Sequence, residues 1–211
     1  MTAIPDARVT SVGTTRGEAR LHAFGDPRAA ATVVLGHGAG GGVEARDLQA
    51  IAAMADRAAM QVILFEQPWR VAGRKVAPAP AALDDAWLSA LEQQHLFGAL
   101  ILGGRSAGAR VACRTARRLG ADAVIALAFP LHPPGKPEKS RAGELAQAGV
   151  PVLVVQGEKD PFGRPGEIRA SAPGVEVMDV AAARHGLEGD LSDPLAGIAD
   201  FVRRRVLEPG E

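Results

Sequence analysis

Short apolar runs alternate with segments of helical spacing along most of the chain. Two runs near the start, residues 7–13 and 20–24, predict a pair of edge strands joined as a hairpin. Six further β-rich runs follow, at residues 31–35, 61–65, 99–102, 123–129, 151–156 and 175–180. Most of the six lack the polar alternation of a half-exposed strand, which is typical of strands covered on both faces.

The segments between these runs predict helices. Apolar residues recur at helical spacing over residues 43–59 and 83–97. Further helices are predicted at residues 106–119, at the end of 136–148, at 166–171 and at 194–207. Residues 68–80 are rich in proline and alanine and predict a loop.

Strands that alternate with helices indicate an α/β fold. We expect a three-layer sandwich around a mostly parallel, twisted sheet of about seven to eight strands. The chain has 211 residues and contains no linker, repeat or long insertion. It therefore predicts one domain over residues 1–211, without a cap domain.

The segments that could carry chemistry directly follow the predicted strands. In a parallel sheet, sites lie beyond the carboxyl ends of the strands. Strand ends are followed by residues 37–41, Glu66, Ser106, His132, residues 157–160 and residues 184–186. The sequence therefore predicts a functional site at this edge of the sheet.

Ser106 is the central residue of a GxSxG motif at residues 104–108. The motif lies between an apolar strand and a helix, as a nucleophile elbow requires. The small residues two positions before and after the serine let the strand and helix approach closely, and the sharp turn exposes the hydroxyl. In a chain with 25 glycines the pentapeptide alone is a weak signal, but its context favours a nucleophile at Ser106.

A base and an acid should follow the serine in the order serine, acid, histidine. His185, after the last predicted strand, is the expected base, and Asp160, after the preceding strand, is the expected acid. His132 also follows a strand in the right half of the chain and competes for the role of base. Glu158 is the alternative acid. In this hypothesis His185 takes the Ser106 proton and Asp160 orients and stabilises the imidazole.

The Gly-rich loop at residues 37–41 could supply part of an oxyanion hole. One donor would be the backbone N–H of Ala107, and the other would come from Gly38, Ala39 or Gly40. A phosphate-binding loop is the weaker alternative, because the segment matches neither GxxxxGK[ST] nor GxGxxG.

The charge composition bears on which molecules the protein could bind. Lys plus Arg and Asp plus Glu both number 24, so no overall positive charge favours binding to nucleic acid.

Cys113 is the single cysteine, and we interpret it as a small buried hydrophobic residue rather than a nucleophile. The scattered histidines and lack of HExxH or cysteine pairs give no support for a metal, and we expect no cofactor. The N-terminal residues do not resemble a signal peptide and no apolar stretch could span a bilayer, so we expect a cytoplasmic protein, monomeric or homodimeric.

Residues 31–206 resemble the small cap-less α/β-hydrolases. More closely, they resemble the bacterial α/β-hydrolase-like family related to the testis-expressed protein and a chromatin-complex subunit of animals. The motifs that carry this resemblance are residues 35–41, 65–69, 103–110, 129–137 and 156–163, of which the last two are specific to the closer family.

The resemblance implies a dienelactone-hydrolase-like topology, with Ser106 in place of the cysteine of those enzymes. It maps nucleophile, acid and base onto Ser106, Asp160 and His185. Ala107 stands where the family often has methionine, and because only its N–H is needed we expect no loss. Some animal relatives resemble interaction modules rather than enzymes.

We therefore expect a serine hydrolase that acts on a small-molecule acyl substrate, an ester or thioester. An acyltransferase and a non-catalytic interaction protein with the same fold are the alternatives. Arg105 could contact an anionic substrate, although an ion pair with Glu66 or another acid is the simpler interpretation. Candidate pocket residues are His37, Trp69, Arg105, Phe129, Leu131, His132 and Phe162.

Overall fold

A computed structural model describes residues 7–207, which form eight strands and seven helices. The first six and last four residues of the predicted 1–211 domain lie outside the described part. The strands are β1 (Arg8–Thr14), β2 (Gly17–Phe24), β3 (Ala31–Gly36), β4 (Gln61–Glu66), β5 (Ala99–Arg105), β6 (Ala123–Leu127), β7 (Val152–Gly157) and β8 (Glu176–Val180). The helices are α1 (Arg46–Ala52), α2 (Pro68–Val71), α3 (Pro80–Leu91), α4 (Ala107–Leu119), α5 (Ala142–Gln147), α6 (Pro165–Ser171) and α7 (Ser192–Leu207).

All eight strands belong to one sheet with the order β1-β2-β4-β3-β5-β6-β7-β8. The hairpin of β1 and β2 is antiparallel and joins the sheet through an antiparallel pair of β2 with β4. The remaining neighbours pair in parallel. The α/β fold and the mostly parallel sheet are thus confirmed.

Two apolar layers cover the two faces of the sheet. Helices α2 to α6 pack on one face, where Val34 and Leu102 point. Helices α1 and α7 pack on the other, where Leu35 and Ile101 point. Side chains of a strand alternate between faces, so a strand buried on both faces is apolar at every position. Every residue of β3 and β7 is buried.

Three of the predicted segments differ from the structure. The helix predicted over residues 43–59 is α1, which ends at Ala52, because the chain turns through residues 53–59 and Ala59 has a φ of 50°. A short helix, α2, begins at Pro68 inside the predicted loop, since proline at the first helical position needs no hydrogen-bonded N–H. Helix α3 starts at Pro80 for the same reason and ends at Leu91 rather than Phe97.

The hairpin also differs in one respect from the prediction. Of the two hairpin strands, only β1 lies at an edge of the sheet, because β2 pairs with both β1 and β4. None of the helices within residues 7–207 combines the length and apolar character needed to cross a membrane. Within the same residues, no insertion forms a separate cap over the carboxyl edge of the parallel strands.

Candidate active site

Ser106 occupies the sharp turn between β5 and α4. Its φ is 51° and its ψ is −107°, a combination that a residue with a Cβ rarely adopts. Such a backbone costs about 1–3 kcal/mol and persists only where the surrounding packing fixes it. Its backbone N–H donates to the carbonyl of Leu127 at 2.9 Å, which ties the turn to the neighbouring strand.

Three glycines allow this turn. A Cβ added to either Gly104 or Gly108 would overlap the carbonyl oxygen of Gly36 on β3. The first turn of α4 therefore lies directly against the backbone of the sheet. The small residues of the GxSxG motif are required by this close approach, which fixes the position of Ser106.

Ser106, His185 and Asp160 form one hydrogen-bonded chain. The Oγ of Ser106 lies 2.9 Å from Nε2 of His185. Nδ1 of the same ring lies 2.8 Å from Oδ2 of Asp160. With the proton on Nδ1 donated to the carboxylate, Nε2 is free to accept the serine proton. The structure thus brings together three residues that lie 79 and 25 positions apart in sequence.

Asp160 is 1% exposed and is held from both sides. Its Oδ1 accepts the N–H of Phe162 at 2.8 Å, and its Oδ2 also accepts Nε2 of Gln156 at 2.9 Å. Sequence reasoning missed Gln156, although a glutamine at the end of an apolar strand was an available signal. Its amide fixes the carboxylate in the direction of His185.

His185 is also held by groups outside this chain. Its ring lies over that of Phe162 with the centroids 4.3 Å apart. Its carbonyl accepts Nη2 of Arg105 at 2.6 Å. Arg105 in turn pairs with Asp47 of α1, with Nε and Oδ2 3.2 Å apart. Burial raises the pKa of Asp47, and the Arg105 guanidinium partly offsets that effect.

The Gly-rich loop lies next to the elbow. A Cβ on Gly38 would be 3.6 Å from the Cβ of Ser106, so the loop backbone closely approaches the serine. Ala39 and Ala107 line one small cavity of about 10 Å³ beside it. Ala39 and Gly40 are both exposed, and only Ala39 lines this cavity.

His37 is buried and supports that loop. Its Nε2 accepts the backbone N–H of Gln67 at 3.1 Å, which requires the proton to be on Nδ1, 2.9 Å from the Gly38 carbonyl. Burial lowers the pKa of His37. His37 and Trp69 both line the small cavity, as two of the predicted pocket residues.

The other predicted pocket residues have different positions. Arg105 does not line the cavity, and its partner is Asp47 rather than Glu66, which instead lies 3.1 Å from His22. Phe162 stacks on His185 outside the cavity. Phe129 and Leu131 are buried core residues.

His132, the competing base, has hydrogen-bond partners other than Ser106. Its Nδ1 lies 3.0 Å from the Pro133 carbonyl and its Nε2 3.2 Å from Oε1 of Glu167. These contacts outweigh its burial and raise the pKa of His132. The alternative acid, Glu158, is exposed and accepts the N–H of Ala182. Neither residue belongs to the chain of Ser106.

Cys113 is fully buried in α4, and burial raises the pKa of its thiol to about 12. It is therefore a packing residue. Within residues 7–207, no three His, Cys, Asp or Glu side chains converge into a group that could hold a metal ion.

A serine in a strained strand-to-helix turn, at the carboxyl edge of a parallel sheet, defines the α/β-hydrolase class. The sequence agrees, because residues 29–194 match the model of the family described as alpha/beta hydrolase domain. The chain belongs to this family. A comparison with curated proteins finds no match.

Solved structures with the same fold cover nearly the whole chain. XC6422 from Xanthomonas campestris, described as an α/β serine hydrolase without lid, has a TM-score of 0.74 at 18% identity and covers 98% of this chain and 97% of its own. Est1E from Butyrivibrio proteoclasticus has a TM-score of 0.76 at 11% identity, covering 95% and 99%. A thermophilic esterase from Thermogutta terrifontis has a TM-score of 0.67 at 19% identity, covering 94% and 99%. At sequence identities of 11–19%, these similarities show a shared fold only.

Proposed function

We propose that this protein is a serine hydrolase that cleaves small esters or thioesters through a Ser106–His185–Asp160 triad. The observation that carries the proposal is the pair of contacts at 2.9 Å and 2.8 Å that joins the three side chains. A non-catalytic module would have no need for a strained serine backbone held against a histidine. These contacts therefore favour an enzyme over an interaction protein with the same fold.

The reaction would proceed in two halves. Ser106 Oγ attacks the acyl carbonyl while its proton moves to Nε2 of His185, and the carbonyl π electrons become an oxyanion. The N–H groups of Ala107 and Ala39 would stabilise that oxyanion. The tetrahedral intermediate then collapses, and the leaving group departs with the proton from His185.

The acyl-enzyme is hydrolysed by the same groups. Water gives a proton to His185 and attacks the acyl carbonyl, and Ser106 leaves as the protonated alcohol. Asp160 stays ionised and stabilises the imidazolium formed in each half. An alcohol or thiol in place of water would make the protein an acyltransferase, and product analysis with added acceptors separates the two outcomes.

The finer assignments belong to the same proposal. Two of the fold neighbours are described as a serine hydrolase and an esterase, which supports a carboxylesterase-like activity. The loops at residues 129–137 and 156–163 support placement in the bacterial family related to the testis-expressed protein. The single cysteine favours a reducing, cytoplasmic setting.

The triad is tested by replacing its nucleophile. We expect Ser106→Ala to abolish labelling by a fluorophosphonate probe and to lower kcat/KM for p-nitrophenyl acetate by about 10⁴-fold or more. Ser11→Ala, on the exposed edge strand β1, is the matched control and should behave as wild type. Equal labelling of Ser106→Ala and wild type would disprove the assignment.

A further inference from the structure

Two cavities lie on the α3 side of the sheet and share part of their lining. The inner cavity, about 10 Å³, lies against Ala39 and Ala107. The outer cavity, about 400 Å³, opens between β2, α2 and α3. Gln67 and Trp69 line both. These two residues therefore form the wall between them.

The inner cavity adjoins the residues that directly follow Ser106, and not those that carry the acid and the base. Its lining comes from the Gly-rich loop, the first turns of α4, and residues 67–83, and none comes from the loops that carry Asp160 and His185. His185 must reach the leaving-group oxygen to protonate it, so the leaving group belongs on the side of His185. With the oxyanion on the N–H groups of Ala39 and Ala107, the acyl group is the remaining substituent of the carbonyl carbon. The inner cavity is the space next to the turn on the side without Asp160 and His185.

The inner cavity limits the size of that group. A cavity of about 10–15 Å³ is the smallest that holds one water molecule. The inner cavity, at about 10 Å³, is close to that minimum, so we expect it to favour the smallest acyl substituents, a hydrogen or a methyl group.

The two wall residues are held differently. Gln67 is fixed by hydrogen bonds, because its backbone N–H donates to His37 and its Nε2 donates to the Leu83 carbonyl at 3.2 Å. The Trp69 indole is held by packing, with its ring centroid 5.6 Å from that of His37. Its Nε1 has no hydrogen-bond partner among the described residues, although Trp69 is only 5% exposed. Trp69 is thus the part of the wall that can be removed without breaking a hydrogen bond.

We propose that Trp69 is a specificity-determining residue that restricts the substrate to formyl and acetyl esters or thioesters by closing the inner cavity from the outer one. The proposal rests on the proposed function, since it assigns the acyl group of the same Ser106 reaction. Removal of the indole joins the two cavities. Beyond the wall, the outer cavity offers apolar lining from Val71, Ala82 and Ala86.

The test varies only the acyl group, in p-nitrophenyl formate, acetate, butyrate and hexanoate. For wild type we expect kcat/KM to fall by at least about 100-fold from acetate to hexanoate, because each methylene that does not fit costs about 10-fold or more. In Trp69→Ala we expect the ratio of kcat/KM for hexanoate to kcat/KM for acetate to rise at least about 10-fold. Trp69→Leu serves if the alanine variant does not fold, as judged by its melting curve.

Trp87→Leu is the matched control. Trp87 lies in the same apolar cluster and is fully buried, but it lines neither cavity. Its replacement should lower the melting temperature without changing the preference for short acyl chains. A second variant, Trp69→Ala with Ala82→Phe, refills the outer cavity and should lose the gained hexanoate activity.

The outcomes separate this proposal from the proposed function. If wild type hydrolyses hexanoate as well as acetate, or if folded Trp69 variants keep the wild-type chain-length profile, the role of Trp69 is overturned while the triad stands. If hydrolysis persists in Ser106→Ala, or if no ester is hydrolysed in a Ser106-dependent way, both proposals are overturned.

Discussion

The least expected contact at the site joins two residues on different elements. Arg105, next to the serine, donates to the His185 carbonyl and pairs with the buried carboxylate of Asp47. The sequence indicated that Arg105 would pair with an acid, but not which one. Asp47 lies 58 positions earlier on α1, and only the packing of α1 on the sheet brings it near. An acidic residue, Asp47, among the apolar positions of α1 was the sequence signal that could have indicated this partner.

This contact predicts a coupled effect on stability and activity. Arg105→Met should lower the free energy of unfolding by about 3 kcal/mol, because it leaves a buried carboxylate unpaired. It should also lower kcat for acetate by as much as about 100-fold, because the backbone of His185 loses its donor. Urea denaturation and steady-state kinetics measure the two effects.

The double variant Asp47→Asn with Arg105→Met is the control. It removes the unpaired charge, so it should regain much of the lost stability while kcat stays low. Arg105→Lys should restore part of kcat. If the effects of Asp47→Asn and Arg105→Met on stability simply add, the two groups are not coupled.

At the scale of elements, an ion-pair network joins three helices. Arg114 of α4 pairs with Asp84 of α3 at 2.7 Å and with Glu144 of α5 at 3.0 Å. Arg110 also pairs with Glu144. Burial by itself raises the pKa of Glu144, but the two guanidinium groups outweigh burial and hold this pKa below its ordinary value. The network therefore ties α5, a six-residue helix with one buried apolar side chain, to its neighbours.

The lowered pKa of Glu144 predicts acid sensitivity. An unfolded glutamate has a pKa of about 4.3. The stabilising contribution of Glu144 is therefore fully present above that pH and is lost as the pH falls through the lower folded-state pKa. Between pH 6 and 3, the melting temperature of Glu144→Gln should fall less than that of wild type. Glu138→Gln, in the exposed loop before α5, should follow wild type; equal slopes for all three proteins would contradict the prediction.

The sequence predicted the strands better than the helix ends. Buried strands such as β3 and β7 are apolar at most positions, with Thr32 and Gln156 as the polar exceptions, and packing on both faces imposes this signal. The apolar spacing after Ala52 continued to favour a helix, yet Met54 and Ala55 are buried in turns. Burial alone does not distinguish a helix from a packed turn. Helix α2 was missed because its four residues are too few for periodicity.

At the scale of the molecule, the site follows from parallel pairing. β3, β5 and β7 end at the same edge, so the segments after them meet although they lie far apart in sequence. That is why the order of strands alone could indicate which residues would converge. The cavities could not be predicted in this way. Their sizes depend on how side chains such as Trp69 pack between elements, and Trp69 lies in the helix that the sequence did not show.

The close backbone crossing between β3 and α4 gives a prediction for the whole fold. A Cβ at Gly108 would overlap backbone atoms of Gly36, which cannot rotate away. Gly108→Ala should therefore push α4 from the sheet and abolish cooperative unfolding. Gly143→Ala in α5 is the matched control, because a Cβ added at this position would have no neighbouring residue within 4 Å. It should stabilise the protein by about 0.5–1 kcal/mol. A normal melting curve for Gly108→Ala would contradict this interpretation.

The same crossing has a consequence for how variation in this protein should be read. A library of variants screened for cellular abundance should tolerate many changes at Ser106, yet few at Gly36, Gly104 and Gly108. A library screened for hydrolysis should reject changes at all four. Comparing the two screens would separate positions that perform the chemistry from positions that only hold it in place. A list of invariant positions alone would not distinguish catalytic residues from residues that only maintain the fold.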